Sequence, residues 1–370
     1  MAWFGFGTFF VTYATLVTAG QAMGLTAVTA GAVLTTMMVA VVAVQPFVPM
    51  LNRRLGARWT FMVALVLQAV GHLLTLLPIN PWLALLTGSV VGGLGFGVLV
   101  VIGTAVVPST VASNRLGRAL GFYGATTATA TAIAAPVGLW LITTMSAPTF
   151  RWLNFAFVLL ALLAVVMVPT RRVTEQGGPH SADQQHAPPD HQLNWSGLVA
   201  VLLPTAFILT VFGLVLAFGP ADDGASPALY IAAMQVFVVV GRFLSSASLD
   251  RYSPVLVMLG GLATAIVGLL CMTVLASGWW LGVAIAILGL GTGTVQAASL
   301  LLAFQQSGSA NRGSVAWNMT FDIGLGVAGL VGGLGFTYWG AQTTYLVCAL
   351  VLFITTVTFV GFFRGKNRRQ

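Results

Sequence analysis

The chain has 370 residues, 58% of them hydrophobic and only 6% charged, with 43 glycines and a net charge of +8. A water-soluble domain carries about 25% charged residues, so most of this chain does not face water. Nucleic-acid proteins gather their basic residues into a stripe on a soluble domain. Here the basic residues stand singly or in small groups between long apolar runs, and no nucleic-acid partner is expected. The one lysine, Lys366, lies in the tail, which excludes the glycine-then-lysine loop that cradles nucleotide phosphates. Cys271 and Cys348 both fall within apolar runs, where a disulfide framework is not expected. The first arginine is Arg53, so the start lacks the positive segment of a cleaved signal peptide.

A membrane-spanning helix needs roughly 20 apolar residues. Twelve such stretches follow in chain order, at about 2–23, 29–50, 59–78, 82–107, 118–144, 150–169, 195–219, 228–248, 254–276, 279–303, 314–337 and 342–363. Pro78-Ile79-Asn80-Pro81 reads as a tight turn, and Pro108-Ser109-Thr110 as a break at the end of the fourth stretch. The connection from Thr170 to Asn194 alone is long and polar, and its Arg171, Arg172, Glu175, Pro188 and Pro189 are linker chemistry. The predicted organisation is therefore an N-terminal six-helix bundle over 1–169, a cytoplasmic linker over 170–194 and a C-terminal six-helix bundle over 195–370 with a short basic tail.

With both termini cytoplasmic, the inner side holds Arg53, Arg54, Arg58, Arg115, Arg118, Arg171, Arg172, Arg242, Arg251, Arg312, Arg364, Lys366, Arg368 and Arg369. The outer side holds Arg151, together with Asp222 and Asp223. Cytoplasmic loops are the ones enriched in Lys and Arg, so this asymmetry predicts the orientation and supports an even number of spans.

The halves resemble each other. Gly93-Leu94-Gly95-Phe96-Gly97 in the fourth stretch matches Gly289-Leu290-Gly291-Thr292-Gly293 in the tenth, at an offset of 196, and Gly117 matches Gly313 at the same offset. Arg54 falls opposite Arg251 at 197. This predicts an internal duplication and an all-α membrane fold of two pseudo-symmetric bundles, an architecture of transporters. The small-xxx-small spacings Gly88/Gly92, Gly93/Gly97 and Gly289/Gly293 suit close helix packing. As a nucleotide fingerprint they fail, because no strand precedes them.

Polar residues inside these stretches are the functional candidates, since an ionisable group at a helix centre costs about 2.5–3.5 kcal/mol on insertion scales. Asp322 is the acid placed well inside an apolar stretch, ten residues after Arg312, which sets it roughly 15 Å along the helix. Burial raises a carboxyl pKa and a nearby cation lowers it, so such a site can load and release a proton. The alternative is an Asp locked to an arginine. Ser314, Asn318 and Asp322 share a face, as do Thr292, Gln296 and Ser299, and Gln235 with Arg242. Thr8, Thr12 and Thr15 form a further stripe, with Tyr13 and Gln21 nearby. Arg242 is placed to neutralise Asp322, to bind an anion, or to reach the inner surface. His72 reads as a hydrogen-bonded packing residue, with proton carriage as the alternative. His180, His186 and His191, with Asp183 and Asp190, match no standard ligand spacing, so no metal is expected.

These features resemble the major facilitator superfamily over about residues 2–364. The family's signature loop, roughly Gly-x-x-x-Asp-Arg-x-Gly-Arg-Arg, is represented by Arg54, Gly56 and Arg58, while Arg53 replaces the aspartate and Pro49 the leading glycine. The second copy keeps the pair as Asp250-Arg251. The resemblance implies that these residues lock an inner gate; the alternative is that they fix topology alone. Ala135-Pro136-Val137-Gly138 is similar to the family's antiporter signature Gly-Pro-x-x-Gly-Gly, lacking its first and last glycines, and a plain proline kink is the alternative for Pro136 and Gly138. Phe321-Asp322 with Gly324 and Gly326 looks most like bacterial efflux permeases, including sugar and metallophore exporters.

The expected protein is a secondary active transporter, working by alternating access and exporting a small organic molecule in exchange for protons across the plasma membrane. Asp322 is the expected proton site. Arg242, Gln235, Gln296, Asn318, Tyr13 and Thr12 are expected to line the substrate cavity. The proton gradient is the energy source with no bound cofactor, the lipid bilayer is the surrounding partner, and the chain is expected to be a monomer. Uptake by symport or facilitated diffusion is the runner-up. A membrane enzyme would need clustered His, Cys or acids on its loops, and the inner loops offer almost only arginine. A receptor would need a signalling domain.

Overall fold

The computed structural model describes residues 1–77, 79–110, 116–168, 193–222, 227–249, 251–275, 278–308 and 310–367. Its helices are α1 Ala2–Ala22, α2 Ala27–Val44, α3 Val48–Leu55, α4 Ala57–Leu74, α5 Pro81–Thr110, α6 Leu116–Thr144 and α7 Ala147–Ala164. After the linker come α8 Trp195–Asp222, α9 Pro227–Leu249, α10 Pro254–Val274, α11 Gly278–Ser307, α12 Ala310–Tyr338 and α13 Gly340–Asn367. Among the described residues, twelve helical segments are long and apolar enough to cross a membrane. The chain divides into two compact units, Met1–Ala187 and Pro188–Gln370. The expected gate residue Asp250, the linker histidines and Arg171, Arg172, Arg368 and Arg369 lie outside the described residues.

The starts of the spans follow from their capping residues. Thr26, Ser146 and Ser253 each accept a hydrogen bond from the backbone N–H three residues on, at the N-termini of α2, α7 and α10. Asn80 accepts from Trp82 N at 2.9 Å, and Asn194 from Gly197 N at 3.1 Å. These oxygens satisfy donors that a helix start leaves orphaned. Asn80 is followed by Pro81 at the first helical position, where a missing N–H costs nothing.

Two expectations are corrected at prolines. The second stretch is not one helix: α2 ends at Val44, a 3-10 turn spans Gln45–Phe47, and α3 follows. Pro46 cannot donate to the α ladder, and the chain tightens there to a bond from Val48 N to Gln45 O. The break expected at Pro108 is instead the last turn of α5, which runs to Thr110. So close to a helix end, proline removes one bond without stopping the turn.

In the first unit, α5 packs against both α2 and α4, and α1 against α6. A Cβ added at Gly93 or Gly97 would come within 3.0 Å of the carbonyl oxygens of Met37 and Val41 on α2, and one at Gly95 would meet Ala64 O on α4. In the second unit, α11 packs against α9 and α10. There Gly289 and Gly293 approach the carbonyls of Met234 and Val238 on α9, while Gly291 approaches Gly261 O on α10. Met37 and Val41 stand 197 residues before Met234 and Val238. The duplicated glycines thus make equivalent backbone contacts in each unit, which is the pseudo-symmetry expected of the fold.

Apolar side chains are also abundant on the outside of the units. Leu163, Val166, Phe243, Val274 and Leu350 are all exposed, the surface that a hydrocarbon solvent calls for. Trp59, Trp82, Trp152, Trp195, Trp279, Trp280 and Trp339 are exposed as well. Each stands near a helix terminus, where the indole ring suits the membrane–water boundary.

Gly56 turns the chain between α3 and α4 at φ +83, a conformation that side chains rarely adopt. This sends Arg58 toward the end of α7, where its Nε donates to Val168 O at 2.8 Å and its Nη2 to Val166 O at 2.7 Å. A cation on the orphaned carbonyls of a helix C-terminus is doubly favourable. Arg58→Ala is expected to destabilise this corner by about 1 kcal/mol or more, read as faster amide hydrogen exchange over residues 160–168. Unchanged exchange there would show that the two bonds hold nothing.

Candidate functional site

The polar residues of the second unit converge on α11. Thr292, Gln296 and Ser299 are all buried, and Gln296 and Ser299 each bond to a neighbouring helix. From α9, Arg242 donates to Gln296 Oε1 with its Nε at 3.0 Å and with its Nη2. From α12, Trp317 Nε1 donates to Ser299 Oγ at 3.0 Å. The guanidinium is therefore held inside the unit by an uncharged amide. Gln235, seven residues before Arg242 on α9, is 3% exposed.

Asp322 lies on α12 with 5% of its surface exposed. Asn318, one turn earlier, turns its Nδ2 back to Ser314 O at 2.8 Å and Ser314 Oγ at 3.3 Å. Of the candidates in this unit, Arg242 and Gln296 are in direct contact. Trp317, which ties α12 to the same face of α11, was not singled out in the sequence. An indole in an apolar stretch reads as packing, and its N–H declares a partner only once the helices are placed.

The first unit holds a cavity that is open to the exterior. Its wall is built from α1, α2, α4, α5 and α7, with Thr12, Gln68, His72, Ser89, Arg151 and Asn154 as its main polar members. Thr12 is thus on a cavity wall, although its hydroxyl donates to Thr8 O at 2.9 Å. Tyr13 is fully buried and packs against Phe9 and Phe10. His72 lines the cavity, and its carbonyl accepts the Thr75 hydroxyl at 2.7 Å.

Sequence reasoning placed Arg151 only as the lone cation of the outer side. The structure makes it a cavity residue. Its Nη1 donates to Thr75 O, just past the end of α4, and its Nη2 contacts Met23 Sδ at 3.2 Å. The available signal was negative: residues 1–174 contain neither Asp nor Glu, so no acid in these six spans compensates Arg151.

Of the remaining candidates, Arg54 and Arg251 are exposed and Gly56 is buried. Pro136 lies within α6, which continues unbroken to Thr144. Gly138 faces α1, where an added Cβ would meet Val11 Cγ1 at 2.8 Å.

A fold of two six-helix units with duplicated glycine contacts finds many counterparts among solved structures. The chain superposes on the nucleoside transporter NupG with a TM-score of 0.72 and 13% identity, covering 98% of this chain and 97% of that one. It superposes on the xylose transporter XylE from E. coli with a TM-score of 0.76 and 12% identity, covering 97% of each. For a POT family transporter in complex with 5-aminolevulinic acid the TM-score is 0.78 at 11% identity, covering 98% of this chain and 94% of that one. A sequence search of curated proteins finds no match. The family model described as Major Facilitator Superfamily matches residues 1–321. With the twelve apolar helices, that match establishes that the chain is a multi-pass membrane transporter and belongs to the Major Facilitator Superfamily.

Proposed function

We propose that this transporter exports a small organic molecule in exchange for protons by alternating access, the molecule being of drug, sugar or metallophore-like chemistry. The observation that carries the reading is the buried Asp322 on α12, in a unit whose α11 carries an uncharged polar stripe and holds Arg242 through Gln296. An acid retained in an apolar helix despite its insertion cost is a functional group by default. Asp322 takes the proton, and Arg242, Gln235, Gln296 and Asn318, with Thr12 and Tyr13 of the first unit, serve the substrate. Arg54, Gly56, Arg58, Asp250 and Arg251 serve the gate, and Pro136 and Gly138 stand as the antiporter-like motif of α6.

On this reading both termini are cytoplasmic, the membrane is the plasma membrane, the chain acts as a monomer, and the proton gradient replaces any bound cofactor. Uptake or uncoupled passage is the second reading. It is favoured by the solutes named for two of the similar structures, nucleoside and xylose.

The test is substrate-dependent proton movement in everted membrane vesicles, screened over amphipathic drugs, sugars and metal-chelating amino-acid derivatives. A compound that dissipates an imposed pH gradient only when the protein is present is the expected result. Solute flux without any proton movement would overturn the coupling and leave uptake or uniport.

A further inference from the structure

We propose that the cavity of the first unit is a binding site for a small amphipathic carboxylate, with Arg151 as its anchor. The inference does not depend on the direction or coupling of transport. The charge balance sets the sign of the ligand. Arg151 lines the cavity, and the six spans of its unit contain no acid, since residues 1–174 have neither Asp nor Glu. A cation in an apolar span whose own unit's six spans supply no acid is costly to hold, and an anion entering the cavity lowers that cost.

The guanidinium is also pre-set for a ligand. Thr75 O and Met23 Sδ each take one contact, out of five N–H donors in a fixed plane. Those two contacts fix the plane, and the remaining donors match the two oxygens of a carboxylate side by side.

A second and independent observation comes from Gln68 on the same wall. Its side chain is 3% exposed. Its Oε1 accepts the Thr8 hydroxyl at 3.2 Å, while its Nε2 has no hydrogen-bond partner. Turning the amide over exchanges the two atoms and leaves the oxygen alone instead, so one amide atom is unsatisfied in either setting. A buried polar atom without a partner costs about 1–3 kcal/mol, and a ligand oxygen beside Nε2 removes that penalty.

The rest of the wall sets the ligand's body. Phe9, Leu16, Leu85 and Phe150 are apolar, as the lining of small-molecule sites mostly is. One arginine suits one negative charge, which favours a monocarboxylate with an apolar or aromatic body over a phosphate dianion.

The test uses the full chain in lipid nanodiscs, with unfolding followed by tryptophan fluorescence during titration with benzoate and with benzamide, its uncharged analogue. Benzoate is expected to raise the unfolding temperature saturably and benzamide is not. Arg151→Gln is expected to weaken benzoate binding at least tenfold. Gln68→Leu is expected to weaken it several-fold while restoring a satisfied wall. If Arg151→Gln does not fold, Arg151→Lys replaces it, since the charge stays and the planar fork is lost; severalfold weaker binding is then expected. Equal responses to benzoate and benzamide, no saturable benzoate response, or parental affinity in the arginine variant would each overturn the assignment.

Discussion

Replacing Asp322 by Asn is expected to abolish substrate-driven proton movement, at least tenfold down toward the protein-free background, while leaving substrate exchange measurable. The substitution keeps the size of the side chain and its hydrogen-bonding reach but removes the group that ionises. Asp322 is 5% exposed on α12, so its carboxyl occupies a place where a charge is expensive. Counterflow, in which labelled substrate exchanges with unlabelled substrate at no net proton cost, separates the two roles. Loss of proton movement with exchange retained assigns the proton to Asp322. Proton movement equal to the parent's would show Asp322 to be structural, and loss of both, with unfolding temperature unchanged, would place Asp322 in substrate binding instead.

What could be read in advance divides by the range of the interactions. The spans were legible because a bilayer imposes length and apolarity locally on each segment, and Thr26, Asn80, Ser146 and Ser253 mark their starts by bonds within one turn. The duplication was legible because close backbone approach demands glycine at fixed intervals, here Gly93/Gly97 and Gly289/Gly293. The polar chemistry is of another kind. At the same offsets, Arg242 corresponds to Gln45 and Gln296 to Val100, and Asp322 to Thr126, so the repeated frame holds different groups in its two copies.

Which of those groups meet depends on helices distant in sequence. Gln296 and Arg242 could each be placed on a polar face, but their contact spans 54 residues. The cavity around Arg151 draws on five helices, and no local pattern announces it. The missed 3-10 turn at Pro46 is the opposite case, a local signal present in the sequence and overridden by the length of the apolar run around it.

The glycine frame is also what brings Arg242 to its partner, and the largest stability effect is expected there. A Cβ at Gly293 would come within 3.0 Å of the carbonyl oxygen, carbonyl carbon and Cα of Val238, and one at Gly241 would meet Leu290 O. These neighbours are backbone atoms, so no rotamer change relieves the clash, and α9 and α11 must move apart. Gly293→Ala is expected to destabilise the protein by about 1–3 kcal/mol, the range for overpacking a tight core, and Gly293→Val by more. Gly92→Ala is the control, because a Cβ there meets nothing within 4 Å and alanine favours the helix by about 1 kcal/mol. Unfolding temperature and monodispersity in detergent decide between them, and a Gly293→Ala protein as stable as the parent would show that the α9–α11 approach has slack. The consequence reaches the site. Gln296 lies one turn beyond Gly293 and Arg242 one residue beyond Gly241, so separating the helices lengthens the 3.0 Å bond from Arg242 Nε to Gln296 Oε1. Gly293→Ala is therefore expected to impair transport at temperatures where the protein is still folded, as an uncompensated guanidinium replaces a held one.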